Sequence, residues 1–453
     1  MTTLELLLIT ISAIVLLLVM VIGLKVHAFI SLMLTSIYVG ILSGMPLMSI
    51  IKSIQDGMGG VLGFIAVVVG IGSIFGEILQ VTGGTESLSR SMIRKFGEKR
   101  SSWAMMTTGF IIAIPVFLDV GFIILVPMVF ALARKARKSV LYFAIPLLAG
   151  LAVTHSFIPP TPGPIAVAEI IEAPLGWVIL FGFIVGFPTA IIAGPYFGSY
   201  IAKKIHIDPP PLTEEELAKL DEQDKILPSF LWVIFLIGLP LVLILSSTMV
   251  DMGLKEGWWT NSKGLEVVQF IGHPFIALLL ATMAASYFLG IRNGYSLKAL
   301  RDMSNRALAP AGLIILVTGA GGVFKQILVD SGAGAALADM VSGLHIAPVV
   351  LAYILAVIIR LTQGSATVAM ITAAGMMAPV LMVFDLTDPQ KALIVLSIAA
   401  GATIFSHVND SGFWLIGKYL NMTEKQTLRS WSVMETIVSV VGFLMVLLLG
   451  LFV

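Results

Sequence analysis

The chain of 453 residues contains no cysteine, which excludes disulfides, thiolate metal sites and cysteine nucleophiles. Charge is scarce as well: 12% of residues are Asp, Glu, Lys or Arg, and the formal net charge is +1. That balance offers nucleic acid no electrostatic footprint, and no such partner is expected. The motifs H-E-x-x-H, G-x-S-x-G and G-x-x-x-x-G-K-[ST] are missing, so an intramembrane protease, an α/β-hydrolase and a P-loop pump lose their sequence support. A hydrolytic trio could be drawn from Ser365, His407 and Asp410, but no spacing requires one. The expectation is a protein that is not an enzyme, with no metal site and no cofactor.

Apolar length is what the chain has in excess. Hydrophobic residues make up 58% of it, and the mean hydropathy is +1.02. Windows of ~20 apolar residues, long enough to cross ~30 Å of hydrocarbon, follow one another along the sequence. They fall near 4–23, 27–44, 61–80, 104–132, 141–171, 176–202, 229–250, 267–290, 309–329, 346–383, 390–415 and 431–453. Residues Leu4 to Gly23 show neither a basic n-region nor a small-residue cleavage site, so they read as a retained membrane helix. The class is an all-α polytopic membrane protein.

Four of these windows are interrupted. The stretch 104–132 breaks at Ile114-Pro115-Val116-Phe117-Leu118-Asp119-Val120-Gly121, and 346–383 breaks at Arg360-Leu361-Thr362-Gln363-Gly364-Ser365-Ala366-Thr367. Arg90, Arg94, Lys95, Lys99 and Arg100 precede the first, and Arg134, Lys135, Arg137 and Lys138 follow it. Basic clusters mark the cytoplasmic side, so 104–132 has to enter and return as a re-entrant hairpin. Asp330, Asp339, Asp385 and Asp388 flank the second hairpin and suit entry from the outer side. Each hairpin is followed by a broken helix, near 141–171 and 390–415. The first break holds Pro159, Pro160, Pro162 and Pro164, which cannot continue an α-helix. The second reads Ser406-His407-Val408-Asn409-Asp410-Ser411-Gly412.

An internal repeat joins the two sets. Gly70-Ile71-Gly72-Ser73-Ile74-Phe75-Gly76-Glu77-Ile78-Leu79 aligns with Gly319-Ala320-Gly321-Gly322-Val323-Phe324-Lys325-Gln326-Ile327-Leu328, continuing through Leu88 with Leu337. His27-Ala28-Phe29-Ile30 resembles His273-Pro274-Phe275-Ile276, Thr154-His155 lies near Ser406-His407, and Gly163 falls on Gly412. The division is repeat 1 over 1–202, a polar cytoplasmic linker over 203–227 with a short capped helix at Thr213 to Glu216, and repeat 2 over 228–453. About five crossings plus one hairpin in each half is an odd number of crossings. The second copy is then inverted, both termini fall outside, and the broken helices meet near the midplane. Such paired breaks fit alternating access around one site better than an anion channel.

The breaks concentrate the polar chemistry. Free N–H groups at half-helix N-termini favour an anion, and Ser365, Thr367, Asn409 and Ser411 suit a polyol. Arg360 pairs with a carboxylate on a neighbouring helix, snorkels to the interface, or meets the substrate carboxylate. Asp119 is the proton-coupling candidate, its alternative being an acceptor for hairpin N–H groups. His155 and His407 are either titrating groups or structural hydrogen-bonders. Thr154, Thr161, Gly163, Gln363, Gly364 and Asp410 complete the candidate substrate site. Lys325 and Glu77 read as interfacial anchors.

The strings Thr154-His155-Ser156-Phe157-Ile158-Pro159-Pro160-Thr161-Pro162-Gly163-Pro164, Gly364-Ser365-Ala366-Thr367-Val368-Ala369 and Ser406-His407-Val408-Asn409-Asp410-Ser411-Gly412-Phe413-Trp414 resemble the gluconate permease family of bacterial inner-membrane proton symporters. The likeness covers essentially the whole chain, including Gln326 to Gly332 and Trp431 to Glu435. It implies import of gluconate or a related small sugar acid together with protons, powered by the transmembrane proton gradient. It also implies a two-hairpin fold of the ion-transporter group, with a transport domain moving against a scaffold, often as a homodimer. D-serine and other hydroxy-acid carriers of the family give the alternative substrate class. Gluconate members read Phe-Tyr-Glu-Val-Gly where this chain has Phe117-Leu118-Asp119-Val120-Gly121, and carry His where it has Thr161. Those departures point to a different aldonate, erythronate-like or glycerate-like.

Overall fold

A computed structural model describes residues 2–97, 100–210, 227–334, 336, 346–382 and 384–453. Among these residues every regular element is a helix. The expectations placed on Lys99, on the capped helix of the linker, and on Leu337 and Asp339 lie outside the described residues.

The first half runs α1 (Thr3–Leu18), α2 (Ala28–Leu42), the long α3 (Leu47–Val81) and α4 (Gly84–Phe96). Next come α5 (Ser101–Ile112) and α6 (Leu118–Ala136), then α7 (Leu141–Phe157), α8 (Pro162–Ile171), α9 (Leu175–Ile191) and α10 (Phe197–Lys204). The second half holds α11 (Phe230–Lys255), α12 (Lys263–Gly272), α13 (Pro274–Ala285), the long α14 (Leu297–Asp330), α15 (Pro348–Gln363) and α16 (Ala366–Leu381). It closes with α17 (Asp388–Thr403), α18 (Ser411–Tyr419), α19 (Glu424–Thr427) and α20 (Val433–Leu449). Among the described residues, seven helical stretches are long and apolar enough to cross a membrane: Leu47–Val81, Leu141–Ile171, Leu175–Lys204, Phe230–Lys255, Pro274–Asn293, Leu297–Asp330 and Glu424–Leu449. None of the four hairpin arms, α5, α6, α15 and α16, is among them.

The order of elements repeats: long helix, hairpin, broken helix. Local chemistry repeats with it. His27 Nδ1 accepts from the Phe29 N–H at 3.2 Å to start α2, and His273 Nδ1 accepts from the Phe275 N–H at 3.4 Å to start α13. A side chain that satisfies an orphan N–H is what begins a helix. Gly163 and Gly412 both stand second in the helix that follows a break.

The long helices of the two halves pack on each other where both lack a side chain. A Cβ at Gly57 would lie 2.7 Å from the Gly322 carbonyl oxygen, and one at Gly322 would lie 2.6 Å from that of Gly57. Small residues allow this backbone approach, which drives helix association where apolar burial alone gives little. Around this crossing, α7, α8, α16 and α17 are almost wholly buried. The first break, 158–161, therefore runs through protein interior, where irregular backbone at membrane depth is tolerated, whereas in the second Phe405, Val408 and Asn409 are exposed.

Some expectations change. The span near 61–80 begins at Leu47 and that near 309–329 at Leu297, because the helices continue through polar turns that an apolar window does not register. The span near 267–290 is interrupted at His273, whose cap starts a new helix. Lys325 and Glu77 each pair with a largely exposed partner: Lys325 Nζ lies 2.7 Å from Glu172 Oε1, and Arg306 Nε lies 3.3 Å from Glu77 Oε1.

Candidate site at the two hairpin bends

The second hairpin bends at Gly364, whose φ of +79° is accessible to glycine at little cost. A side chain there would also meet the Asn409 carbonyl oxygen, 2.2 Å from an added Cβ. The bend thus lies directly on the second break, Ile404 to Asp410. Ser365 caps α16 by accepting from the Val368 N–H at 3.4 Å.

Arg360, 3% exposed, donates from Nη2 to Asp410 Oδ2 at 2.6 Å and from Nη1 to the Gly364 carbonyl. Its Nε has no partner among the described residues. Asp410 Oδ2 also accepts from Ser406 Oγ, and its Oδ1 accepts from the Gly412 N–H at 3.0 Å. Asp410 is therefore both ion partner and N-cap of α18. Trp431 Nε1 donates to Ser406 Oγ at 2.7 Å, and Ser432 Oγ donates to the Ser406 carbonyl. His407 Nε2 and Asn409 Nδ2 both donate to the Leu361 carbonyl, at 3.0 and 3.2 Å. The break is tied to the hairpin on one side and to the entry of α20 on the other.

The first bend is more apolar. Phe117 and Thr161 line a cavity of about 20 Å³ with Gly72, Ser73, Pro115 and Pro160, room for about one water molecule. Thr161 donates to the Ile158 carbonyl at 2.7 Å, and Thr154 donates to the Phe110 carbonyl at 2.8 Å, so both hydroxyls are engaged within the backbone. The His155 ring stands edge-on to Phe117 with centroids 6.2 Å apart, and its buried Nδ1 has no partner among the described residues. Asp119, in the first turn of α6, is exposed and within electrostatic reach of Asp410.

The halves are interlocked at these points. Gly163 packs on Met370, so α8 from the first broken helix lies against α16 of the second hairpin. Phe122 meets Tyr419 with ring centroids 6.1 Å apart, so α6 of the first hairpin lies against α18. The geometry gathers Arg360, Gly364, Ser365, His407, Asn409 and Asp410, and Asp119 stands in the first turn of α6, the helix that lies against α18. Ser411 is exposed at the start of α18 and Thr367 is half-buried in the first turn of α16. Gln363 has a buried Oε1 without a partner among the described residues. Of the three readings of Arg360, the pairing with a neighbouring carboxylate is the one observed.

Sequence reasoning missed Ser406, Trp431 and Ser432 as site residues. Trp431 and Ser432 stand near the start of the last apolar window, where an indole N–H and a hydroxyl needing partners were the only available signal.

A family model described as GntP family permease matches residues 4–452. The chain is 41% identical to a gluconate permease of Pseudomonas aeruginosa, over 96% of this chain and 95% of that one. It is 40% identical to the low-affinity gluconate transporter of Escherichia coli K12, over 98% of this chain and 97% of the other. The Gnt-II system L-idonate transporter of the same organism is 38% identical, over 96% of this chain and 97% of the other. In fold, the chain is similar to the crystal structure of the Alcanivorax borkumensis YdaH transporter, with TM-score 0.63, 14% identity and coverage of 90% of this chain and 89% of that one. With these matches running nearly end to end over a chain rich in membrane-length helices, the protein is a multi-pass membrane transporter, not an enzyme, and belongs to the GntP family of permeases.

Proposed function

We propose that this protein is a secondary active transporter that imports a small sugar acid together with protons across a bacterial plasma membrane. The observation that carries the reading is the packing of α6, which begins with Asp119, against α18, which Asp410 caps, through Phe122 and Tyr419. A site assembled from both halves changes when the halves move, which is what alternating access requires.

In this reading the substrate carboxylate meets those first-turn N–H groups of α16 and α18 that Ser365 and Asp410 do not cap. Ser365, Thr367, Asn409 and Ser411 meet the hydroxyls. Arg360 is already committed to Asp410 and Gly364, so its part is to neutralise Asp410 in a pocket that admits an anion. Asp119 takes the coupling proton, which removes a further negative charge as the anion enters. The halves act as inverted repeats, with a homodimer as the working unit.

The substrate is an aldonate of the gluconate class. Support comes from the relatives described as gluconate and L-idonate transporters. Thr161, where gluconate members carry His, lines a small cavity with Phe117, and Asp119 is one methylene shorter than their Glu; together these departures favour an acid of different chain length.

The test is proton uptake by proteoliposomes of the purified protein, challenged with gluconate, shorter aldonates, glycerate and D-serine. Alkalinisation outside on addition of one sugar acid supports the proposal and names the substrate. Substrate uptake without any proton movement overturns the coupling, and conductance without saturation overturns the carrier.

A further inference from the structure

Glu435 stands in the first turn of α20 and is 4% exposed. It forms no hydrogen bond or ion pair among the described residues, while the Arg360 guanidinium and the Asp410 carboxylate both lie within electrostatic reach of it. One turn before it, Trp431 and Ser432 grip Ser406, which in turn donates to Asp410. Tyr353, seven residues before Arg360 on α15, bonds Ser439 Oγ, four residues after Glu435 on α20, at 2.9 Å, so Glu435 lies on the face of α20 turned to α15 and to the Arg360–Asp410 pair.

One guanidinium carries one positive charge, and two carboxylates share it. Asp410 has the close contact and two further donors, Ser406 Oγ and the Gly412 N–H, so the charge of Arg360 is already balanced. A second buried carboxylate with no donor of its own costs several kcal/mol as an anion. The helix does not supply the missing donors, because α20 continues unbroken from the π-helical turn Leu428–Ser432.

No other charged group among the described residues relieves this, and Tyr353 of α15, which also meets α20, is bound to Ser439 Oγ at 2.9 Å and stacked on Phe443. Helix α9 has no titratable residue in its Leu175–Ile191 span. On α7, the His155 ring is turned to Phe117, and Tyr142 lies under Lys138. On α17, Asp388 and Lys391 lie in the first turn, which meets the opposite end of the α20 segment through Gln390 and Val453. Arg429, in the turn before α20, is exposed, as is Tyr196 at the end of the π turn after α9.

We propose that Glu435 is a second proton-binding group of the transport cycle, exchanging its proton as the Arg360 guanidinium moves between Asp410 and Glu435. While Arg360 holds Asp410, Glu435 is a neutral carboxylic acid. When the guanidinium turns to Glu435, that O–H bond breaks, the proton passes to water, and Asp410 is freed to bind one. Proton occupancy is thereby tied to the contact between the second hairpin and the second broken helix, the elements that close on the substrate. This rests on the proton-coupled reading above, which assigned only Asp119.

The test uses the full-length protein in proteoliposomes and reads proton-driven accumulation and counterflow of the sugar acid found to be transported. For Glu435→Gln the ratio of accumulation to counterflow falls by at least about tenfold relative to the unaltered protein. Glu435→Asp, which keeps the acid, retains accumulation with a displaced pH profile. A Glu435→Gln protein with the unaltered proton-to-substrate ratio and pH profile overturns the inference alone. An unaltered protein that moves substrate without protons overturns the coupling reading and this inference with it. Should Glu435→Gln fail to fold, Glu435→Asp decides: an unchanged pH profile there overturns the proposal, and a displaced one supports it.

Discussion

Arg360 and Asp410, 50 residues apart in sequence, are 2.6 Å apart in the fold, and that contact fastens the second hairpin to the second broken helix. The guanidinium is 3% exposed and the aspartate side chain 12%. A pair so buried is costly to break from one side, because the remaining charge keeps its desolvation penalty without its partner.

Arg360→Met or Asp410→Asn alone should therefore cost about 3–5 kcal/mol, and the double variant clearly less than the sum. Unfolding of the purified proteins in detergent provides the double-mutant cycle. Strict additivity of the two single effects would mean that the contact contributes no coupling.

Asp119 is exposed, so its removal should leave stability within about 0.5 kcal/mol. Asp119→Asn is expected to lose the pH dependence of uptake, and Asp119→Glu to keep it. An Asp119→Asn protein whose uptake follows the original pH profile removes this residue from the coupling role.

The crossing of α3 and α14 supplies a test with an internal control. Gly322→Ala places a methyl 2.6 Å from the Gly57 carbonyl oxygen and should destabilise by about 1–3 kcal/mol. Gly312, in the same helix, has open space around it. Gly312→Ala should be neutral or stabilise by up to about 1 kcal/mol through helix propensity. Equal melting temperatures for the two variants would contradict the close approach.

Glu172 follows the last residue of α8, and the hydrogen bond from Lys325 holds its carboxyl below the ordinary value of 4.5, against an opposing effect of partial burial. A carboxyl lowered in the folded state stabilises above its unfolded pKa and loses that contribution as pH falls through the lowered one. The side chain is 71% exposed, so the contribution is at most about 1 kcal/mol. The melting-temperature gap between the unaltered protein and Glu172→Gln should be present at neutral pH and vanish in acid. A gap that persists at the lowest pH would assign the effect to packing instead of charge.

Much of the fold was legible in the sequence because its interruptions are chemically loud. Four prolines between Pro159 and Pro164 end one helix, and Gly364 ends another, wherever they are placed. The likeness of His27 to His273 was legible for the same reason: both cap helices by the same local bond, and local bonds repeat when local sequence does. The candidate site was legible only as a set of residue types. That Ser406 is held by Trp431 and Ser432, or that Lys325 answers Glu172 across 153 positions, has no local signature.

The sequence by itself determined that this is a membrane protein with two sets of broken helices, since composition, hydropathy and proline placement act on each segment without reference to the others. Tertiary structure decided the pairing of charges. A buried arginine needs a counter-charge whatever the fold, but which carboxylate supplies it depends on how α15, the second break and α20 pack. That packing brings Asp410 into contact with Arg360 and buries Glu435 on α20, without a hydrogen bond or ion pair among the described residues. Coulomb interactions and desolvation depend on distance in space and on burial, and neither is a property of a residue's place along the chain.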